Sequence, residues 1–321
     1  MDYQQLTKRQ RAEILAADEQ NLQRLADAYQ ATYAHMLGNI DALTLAIEKL
    51  DNPTAAQVKA LPEFKRLERQ ARQELNRFTS FTEVTIETAA LAAIGISLVH
   101  SQQWITLGGG ATTGLTSQSM AALLSYLQKD SPLYQRLALL TGSTVDSVTQ
   151  TIIQGVGLGY NPRKIASQIQ DAFGGGLTDA LRNTRTVQIW SYRDTARANY
   201  MASDGVVQGW IWWAELDGDT CPACIAMHGT LLPNDDPLDG HYNCRCTPIP
   251  YIEGLTNDVQ SGQDWFDGLD DKTQQDIMGS GKWEAYKSNA FEFSQLAKQT
   301  ENDVYGTMRV VPSLAELTGT E

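Results

Sequence analysis

Asp219-Thr-Cys221-Pro-Ala-Cys224, followed by His241-Tyr-Asn-Cys244-Arg-Cys246, holds all four cysteines of a 321-residue chain. Two of the four histidines, His228 and His241, fall in the same short interval. A Cys-x-x-Cys turn presents two thiolates from one knuckle, and a second sulfur pair downstream can close a tetrahedron around zinc. The preferred shell is Cys221, Cys224, Cys244 and Cys246, a structural site with every position filled. Alternate residues of an extended Cys-x-Cys point to opposite faces, so a variant in which His241 replaces Cys244 or Cys246 stays open. Two small disulfides, or free buried thiols, are the other readings of the four cysteines. A redox role for Cys221-Pro-Ala-Cys224 has little support, because the motif follows an Asp-Gly-Asp-Thr turn and lacks the strand-then-helix context.

The neighbouring segments explain how such a loop is held. Residues 210–216 alternate in strand fashion, with Trp210, Trp212 and Trp213 read as core, and deliver the chain to the Cys221 knuckle. Residues 233–240, rich in Asp, Asn and Pro, form the loop between the two halves. Residues 181–201 read as one long helix whose bulk comes from Val187, Ile189, Trp190, Tyr192, Ala196 and Tyr200. From that helix Arg197 and Asn199 are candidates to hydrogen-bond the metal loop. Arg245 is a candidate to neutralise thiolate charge or to grip a carboxylate, the former being the more economical.

Taken in order, Trp212-Trp213-Ala-Glu-Leu-Asp217, Asp219-Thr-Cys221-Pro-Ala-Cys224, His228-Gly229, Pro237, His241-Tyr-Asn-Cys244-Arg-Cys246 and Pro248 closely resemble the Mu F-like minor head proteins of tailed phages. The helix from Thr184-Arg185-Thr186 to Asp194-Thr-Ala-Arg197-Ala-Asn199 resembles the Arg-Thr-Glu…Arg-Ala-Asn helix of that family. It departs from it at Ile189-Trp190-Ser191, where the family usually has a Thr-Glu pair. The glycine turn and Asn161-Pro162 cap upstream, and the tail as far as Leu317, resemble the family as well. The resemblance implies a minor capsid protein of the virion, present in a few copies near the portal vertex and in the host cytoplasm during assembly. It implies the portal protein and other head proteins as partners, with packaged DNA a further one, and a role in head morphogenesis, DNA packaging or DNA ejection.

Composition bounds the chemistry independently. Hydrophobic residues make up 42% of the chain and charged ones 20%, the usage of a globular protein. The net charge of −13 argues against a dedicated nucleic-acid binder, which needs a basic face. Arg182, Arg185, Arg193 and Arg197 could form a local patch, but a solvated helix face is the simpler reading. No signal peptide is expected at the N-terminus. The longest apolar run, 89–99, is too short to span a bilayer, so a buried helix and no membrane partner are expected. In a reducing cytoplasm the cysteines favour metal over disulfides.

The front half reads as helices throughout. Tyr33, Met36, Ile40, Leu43, Ile47 and Leu50 form an a/d seam, which either grips a partner or closes a self-contained bundle. Thr54 with Gln57 reads as a capping box, and Leu61-Pro62 restarts a helix with Phe64, Leu67, Ala71, Leu75 and Phe78 on one face. Short helices are expected over 120–127, 133–140 and 145–153. The runs Gly108-Gly-Gly110-x-Thr112-Thr113-Gly114 and Gly155-x-Gly157-x-Gly159 lack the strand and the Lys-Ser/Thr or helix context of nucleotide-binding loops. The tail reads as short amphipathic helices.

The expected fold is therefore mainly α with a small α+β, zinc-stapled module. A helical N-terminal region covers 1–143, the module 144–254, and short helices 255–321. No catalytic residue is expected: no His-x-Glu, His-Glu-x-x-His, Walker or Gly-x-Ser-x-Gly motif is present. Two other readings remain open at this stage. One is a zinc-stapled nuclease or toxin-like enzyme using His228 or His241, and the other a soluble adaptor binding through its N-terminal helices.

Overall fold

Apolar residues recur at three- and four-residue spacings through most of the chain, and helices follow from them. The computed structural model describes residues 3–319 apart from 112, 113, 126, 127, 129, 130, 159, 257, 304 and 305. The helices are α1 (Tyr3–Glu48), α2 (Ala55–Ala60), α3 (Pro62–Leu107), α4 (Ser117–Leu124), α5 (Pro132–Gly157) and α6 (Pro162–Met201). A small sheet follows, so the fold is mainly α with a small α+β module. The Thr54–Gln57 capping box forms as expected, Thr54 N donating to Gln57 Oε1 at 2.9 Å and Thr54 Oγ1 accepting from Gln57 N at 3.3 Å. Parts of the glycine runs (Thr112, Thr113, Gly159) and of the expected 120–127 helix (Tyr126, Leu127) lie outside the described residues.

Three helices run longer than their sequence signals. The 89–99 run is one stretch of the 46-residue α3. Three polar residues at and just beyond its end are buried and partnered. Ser97 Oγ donates to Tyr192 O at 2.7 Å, Ser101 Oγ to Ser97 O at 2.7 Å, and the His100 ring lies between Tyr192 and Glu13. By length and composition an 18-residue window of α3, mean hydropathy 1.5, could cross a membrane; half of that window is buried, as in a core helix. Helix α5 joins the two short helices expected at 133–140 and 145–153. A helical glycine such as Gly142 costs about 1 kcal/mol, which the continuing row Leu133, Leu137, Val145, Val148 and Ile152 outweighs by burial. Helix α6 starts at Pro162 and passes through Gly174-Gly-Gly176. A Cβ on Gly176 would stand 2.8 Å from Thr144 Oγ1, so glycine there permits close approach to α5.

Two compact units result, each drawn from separated segments. One comprises Glu19–Ala89 and Leu127–Arg185. Its core takes Met36, Ile40, Leu43 and Ile47 from α1, Phe64, Leu67, Ala71, Leu75 and Phe78 from α3, and partners from α5 and α6. The α1 seam is thus consumed by the protein's own bundle, which removes it as a docking surface for an adaptor. Asn39 pairs with Gln70 and His35 with Glu74, so α1 and α3 run antiparallel here, as a hairpin requires.

The other unit comprises Met1–Asp18, Ala90–Tyr126 and Thr186–Glu321. Its sheet contains β1 (Gly209–Trp213), β2 (Leu231–Leu232) and β3 (Thr247–Tyr251) in the antiparallel order β2-β1-β3. Pro248 and Pro250 are tolerated because β3 is an edge strand. Trp210 and Trp212 on β1 are fully buried, as expected of core tryptophans, whereas Trp213, also read as core, is only half-buried. Trp213 pairs with Thr247. That register brings the residues just before β3 to the same end of the sheet as those just after β1. Helix α7 (Pro222–Met227) leaves from this end.

The tail forms α8 (Gly262–Asp267), α9 (Asp271–Met278), α10 (Ser280–Lys287) and α11 (Leu314–Thr318), as short helices. Between α10 and α11 lies a hairpin the sequence reading did not anticipate, β4 (Lys298–Asn302) with β5 (Gly306–Val310). Ile225 of α7 packs with Phe266, Met278, Phe293, Leu296 and Leu317, so the tail is built on the cysteine-bearing helix. Gly262 makes that seat possible. Its N–H donates to His228 O at 3.0 Å, and a Cβ there would lie 1.7 Å from Ile225 O. Gly262→Ala is therefore expected to destabilise the protein by at least about 2 kcal/mol, read as a lowered midpoint in thermal unfolding; an unchanged midpoint would contradict this seating.

Candidate metal centre

Cys221 sits at the N-cap of α7, with Pro222 at the first helical position, and its Sγ accepts from Cys224 N at 3.4 Å. One turn therefore aims both sulfurs the same way. An Asx turn shapes the approach: Asp217 Oδ1 accepts from Thr220 Oγ1 at 2.7 Å and from Asp219 N at 3.1 Å. On the far side of the loop, His241 Nδ1–H donates to Tyr242 O at 2.6 Å, which turns Nε2 toward the sulfurs. That Nε2 lies 2.9 Å from Cys221 Sγ and 3.2 Å from Cys224 Sγ. Cys224 Sγ lies 3.5 Å from Cys244 Sγ.

Two overlapping donor clusters result, Cys221–Cys224–His241 and Cys224–Cys244–Cys246, each with its donor atoms within 4.8 Å of one another. Cys224 belongs to both. All five donors line one cavity of about 50 Å³. Tetrahedral zinc with bonds of ~2.3 Å to sulfur separates its sulfurs by roughly 3.8 Å, close to the Cys224–Cys244 spacing. All four thiols are free, so the two-disulfide reading does not describe this fold. The donor set fits a sulfur-rich structural metal ion.

Electrostatics point the same way. Hydrogen bonds from Cys224, with help from His241, hold Cys221 down to about 5 despite burial. Cys224 is pushed up by its hydrogen bonds with Cys221, Cys244 and Cys246, with burial adding, and Cys246 by burial, whereas hydrogen bonds with Cys224 and Cys246 hold Cys244 down. His241, against the desolvation that lowers it, is raised to about 9 by Cys221 and the charge of Cys244. Crowded buried thiols cannot all ionise beside one another. A divalent cation among them removes that penalty, because each coordinating thiol is then deprotonated.

The residues behind the loop differ from those expected. Arg193 of α6 is buried and donates from Nε to Cys246 O at 2.8 Å and from Nη2 to Cys244 O and Cys244 Sγ at 3.2 and 3.0 Å. Its signal in the sequence was an arginine on the apolar stripe of Ile189, Tyr192, Ala196 and Tyr200. Arg11 of α1 donates to Arg245 O at 2.8 Å and pairs with Glu215, a contact no local motif announces. Arg245 itself grips Asp217 at 3.4 Å, so the carboxylate reading holds and the thiolate reading does not. Asn199 bonds its own helix at Thr195 O, while Arg197 pairs with Asp194 and reaches Asp235 O in the 233–240 loop. With Arg193 buried and Arg182 and Arg185 paired to Asp179 and Glu19, the four arginines form no basic patch. His228 joins neither cluster. Its buried Nδ1 accepts from Ala214 N at 2.9 Å, and desolvation lowers it to about 4, so the ring is neutral and holds the chain leaving β1.

Residues 146–249 match the family described as phage Mu protein F like protein. The match spans the end of α5, all of α6, the sheet as far as Ile249 and every cysteine. No curated protein matches the chain, and no solved structure does.

Metal analysis of the purified chain is expected to return one zinc per chain. Cys224→Ser removes the donor common to both clusters and is expected to abolish retention and lower the unfolding midpoint; full retention in that variant would contradict the assignment. Arg193→Leu leaves two buried carbonyls and a thiolate uncompensated and is expected to cost about 3 kcal/mol.

Proposed function

We propose that this chain, which carries the phage Mu F-like segment at 146–249, is a minor head protein of a tailed phage, placed near the portal vertex. In this reading it enters the virion with the portal protein and other head proteins as partners and acts in head morphogenesis, DNA packaging or DNA ejection. The single observation that carries it is the coincidence of the family match with the complete cysteine–histidine loop. The donors act structurally and not catalytically. A cavity of about 50 Å³ over them has room for a water and none for a nucleotide, and His228 is committed to backbone support.

Cys221, Cys224, His241 and Cys244 form the proposed zinc shell, because close donor-to-donor spacings of 2.9, 3.2 and 3.5 Å run continuously through these four atoms. Cys246 stands beside them as the spare thiol. The ion supplies what the small module cannot, a fixed junction between α7 and the strand that returns to the sheet, and its binding free energy becomes folding free energy. Along the sequence the proposed division is a helical N-terminal region over 1–143, the metal module over 144–254 and the tail over 255–321, with parts of all three folded into one compact unit.

DNA-filled heads purified from cells making this protein test the reading directly. A fixed, small number of copies relative to the portal is expected, and absence from heads would overturn it. His241→Ala is expected to weaken metal retention without abolishing any nuclease activity of the preparation; loss of a nuclease activity with the fold intact would favour an enzyme.

A further inference from the structure

The hairpin β4–β5 lies outside the matched segment; β4 is largely exposed, while β5 is half-buried and buries Met308. An isolated two-stranded hairpin is marginal in water, so its contacts with the rest of the protein decide what it does. Gln299 and Arg309 are directly opposite each other in the hairpin register. Side chains so paired share a face, and both reach the same carboxylate. Arg309 Nε donates to Asp239 Oδ1 at 2.8 Å and Gln299 Nε2 to Asp239 Oδ2 at 2.7 Å. Arg309 N also donates to Asp239 O at 2.7 Å. The Asp239 side chain is 2% exposed and that of Arg309 19%, so this pair is shielded from screening, unlike a surface salt bridge.

A second grip falls on the other side of His241. Asn302 Nδ2 donates to Tyr242 OH at 2.8 Å, and Tyr242 O receives the Nδ1–H of His241 at 2.6 Å. The hairpin thus holds residues 239 and 242, and between them stands the only histidine in either donor cluster among the described residues. Leu238, next to Asp239, is buried in the core that contains Cys224, Cys244 and Cys246.

We propose that the C-terminal hairpin is a clamp on the metal loop: Asp239, held by Arg309 and Gln299, and Tyr242, held by Asn302, position His241 as a ligand and set how fast the metal leaves. Arg309, Gln299 and Asn302 are positioning residues, acting through Asp239 and Tyr242. The functional metal module accordingly extends to Val310, well past the matched segment. This rests on the metal reading above, and the test separates the two.

The zinc-loaded full chain is mixed with excess chromogenic chelator and the rate of zinc transfer is followed. Arg309→Ala is expected to release zinc at least about tenfold faster with helical circular dichroism unchanged. Arg309→Lys, which keeps the charge on Asp239, is expected to recover much of the difference, and the exposed control Lys272→Ala to behave as the parent. Asn302→Ala and Gln299→Ala give the same reading if Arg309→Ala does not fold. Release at the parental rate in all three clamp variants overturns the proposal. If the full chain binds no zinc, the metal reading fails by itself, and limited proteolysis then reads the clamp. Faster cleavage within 233–243 in Arg309→Ala supports it, and unchanged cleavage overturns it.

Discussion

Four thiols and an imidazole are confined to one buried corner of the protein, and the sequence around them is arranged to make that tolerable. Ionised sulfurs repel one another in a desolvated space, and protonated ones are weak hydrogen-bonding groups that add little to packing. The protein meets the problem with the Arg193 guanidinium, with His241, and with a donor geometry suited to a divalent cation. Cys221 of that corner caps the start of α7, the same short helix whose Ile225 face seats the tail.

Sheet register, helix packing and tail all follow from bringing two short cysteine segments together. Pairing of Trp213 with Thr247 aligns the ends of β1 and β3, so a knuckle after one strand meets a Cys-x-Cys before the other. Helix α6 crosses behind and contributes Arg193 where two backbone carbonyls turn inward. The N-terminal turns of α1 add Arg11, tying Glu215 before the knuckle to the carbonyl of Arg245 after it. Ends of two long helices thus stabilise a loop far away in sequence, which gives the extended helices a role beyond forming a bundle.

The cysteine interval was legible because metal chemistry restricts residue types and spacing together, and because that order of motifs is shared with a family. Caps and seams were legible for the same kind of reason: Thr54-x-x-Gln57 satisfies two orphan donors locally, and the α1 spacing fits one helical face. Helix lengths were not. Glycines 142 and 174–176 look like breaks when read alone, yet burial on either side carries the helix through. The hairpin at 298–310 was hidden because both strands are short and β4 is polar and mostly exposed, and its main anchor is a carboxylate sixty to seventy residues upstream. Arg245 was assigned by sequence proximity to the sulfurs, whereas its side chain goes to Asp217 and the buried Arg193 takes that place. Proximity in sequence is a poor guide to which arginine faces a thiolate.

The central claim is that Cys221, Cys224, Cys244 and His241 hold one zinc ion, with Cys246 beside it. X-ray absorption at the zinc edge of the purified full chain tests this most directly. The account predicts three sulfur neighbours at about 2.3 Å and one nitrogen at about 2.0–2.1 Å. A shell of four sulfurs with no nitrogen, or a shell containing oxygen from water, would contradict it.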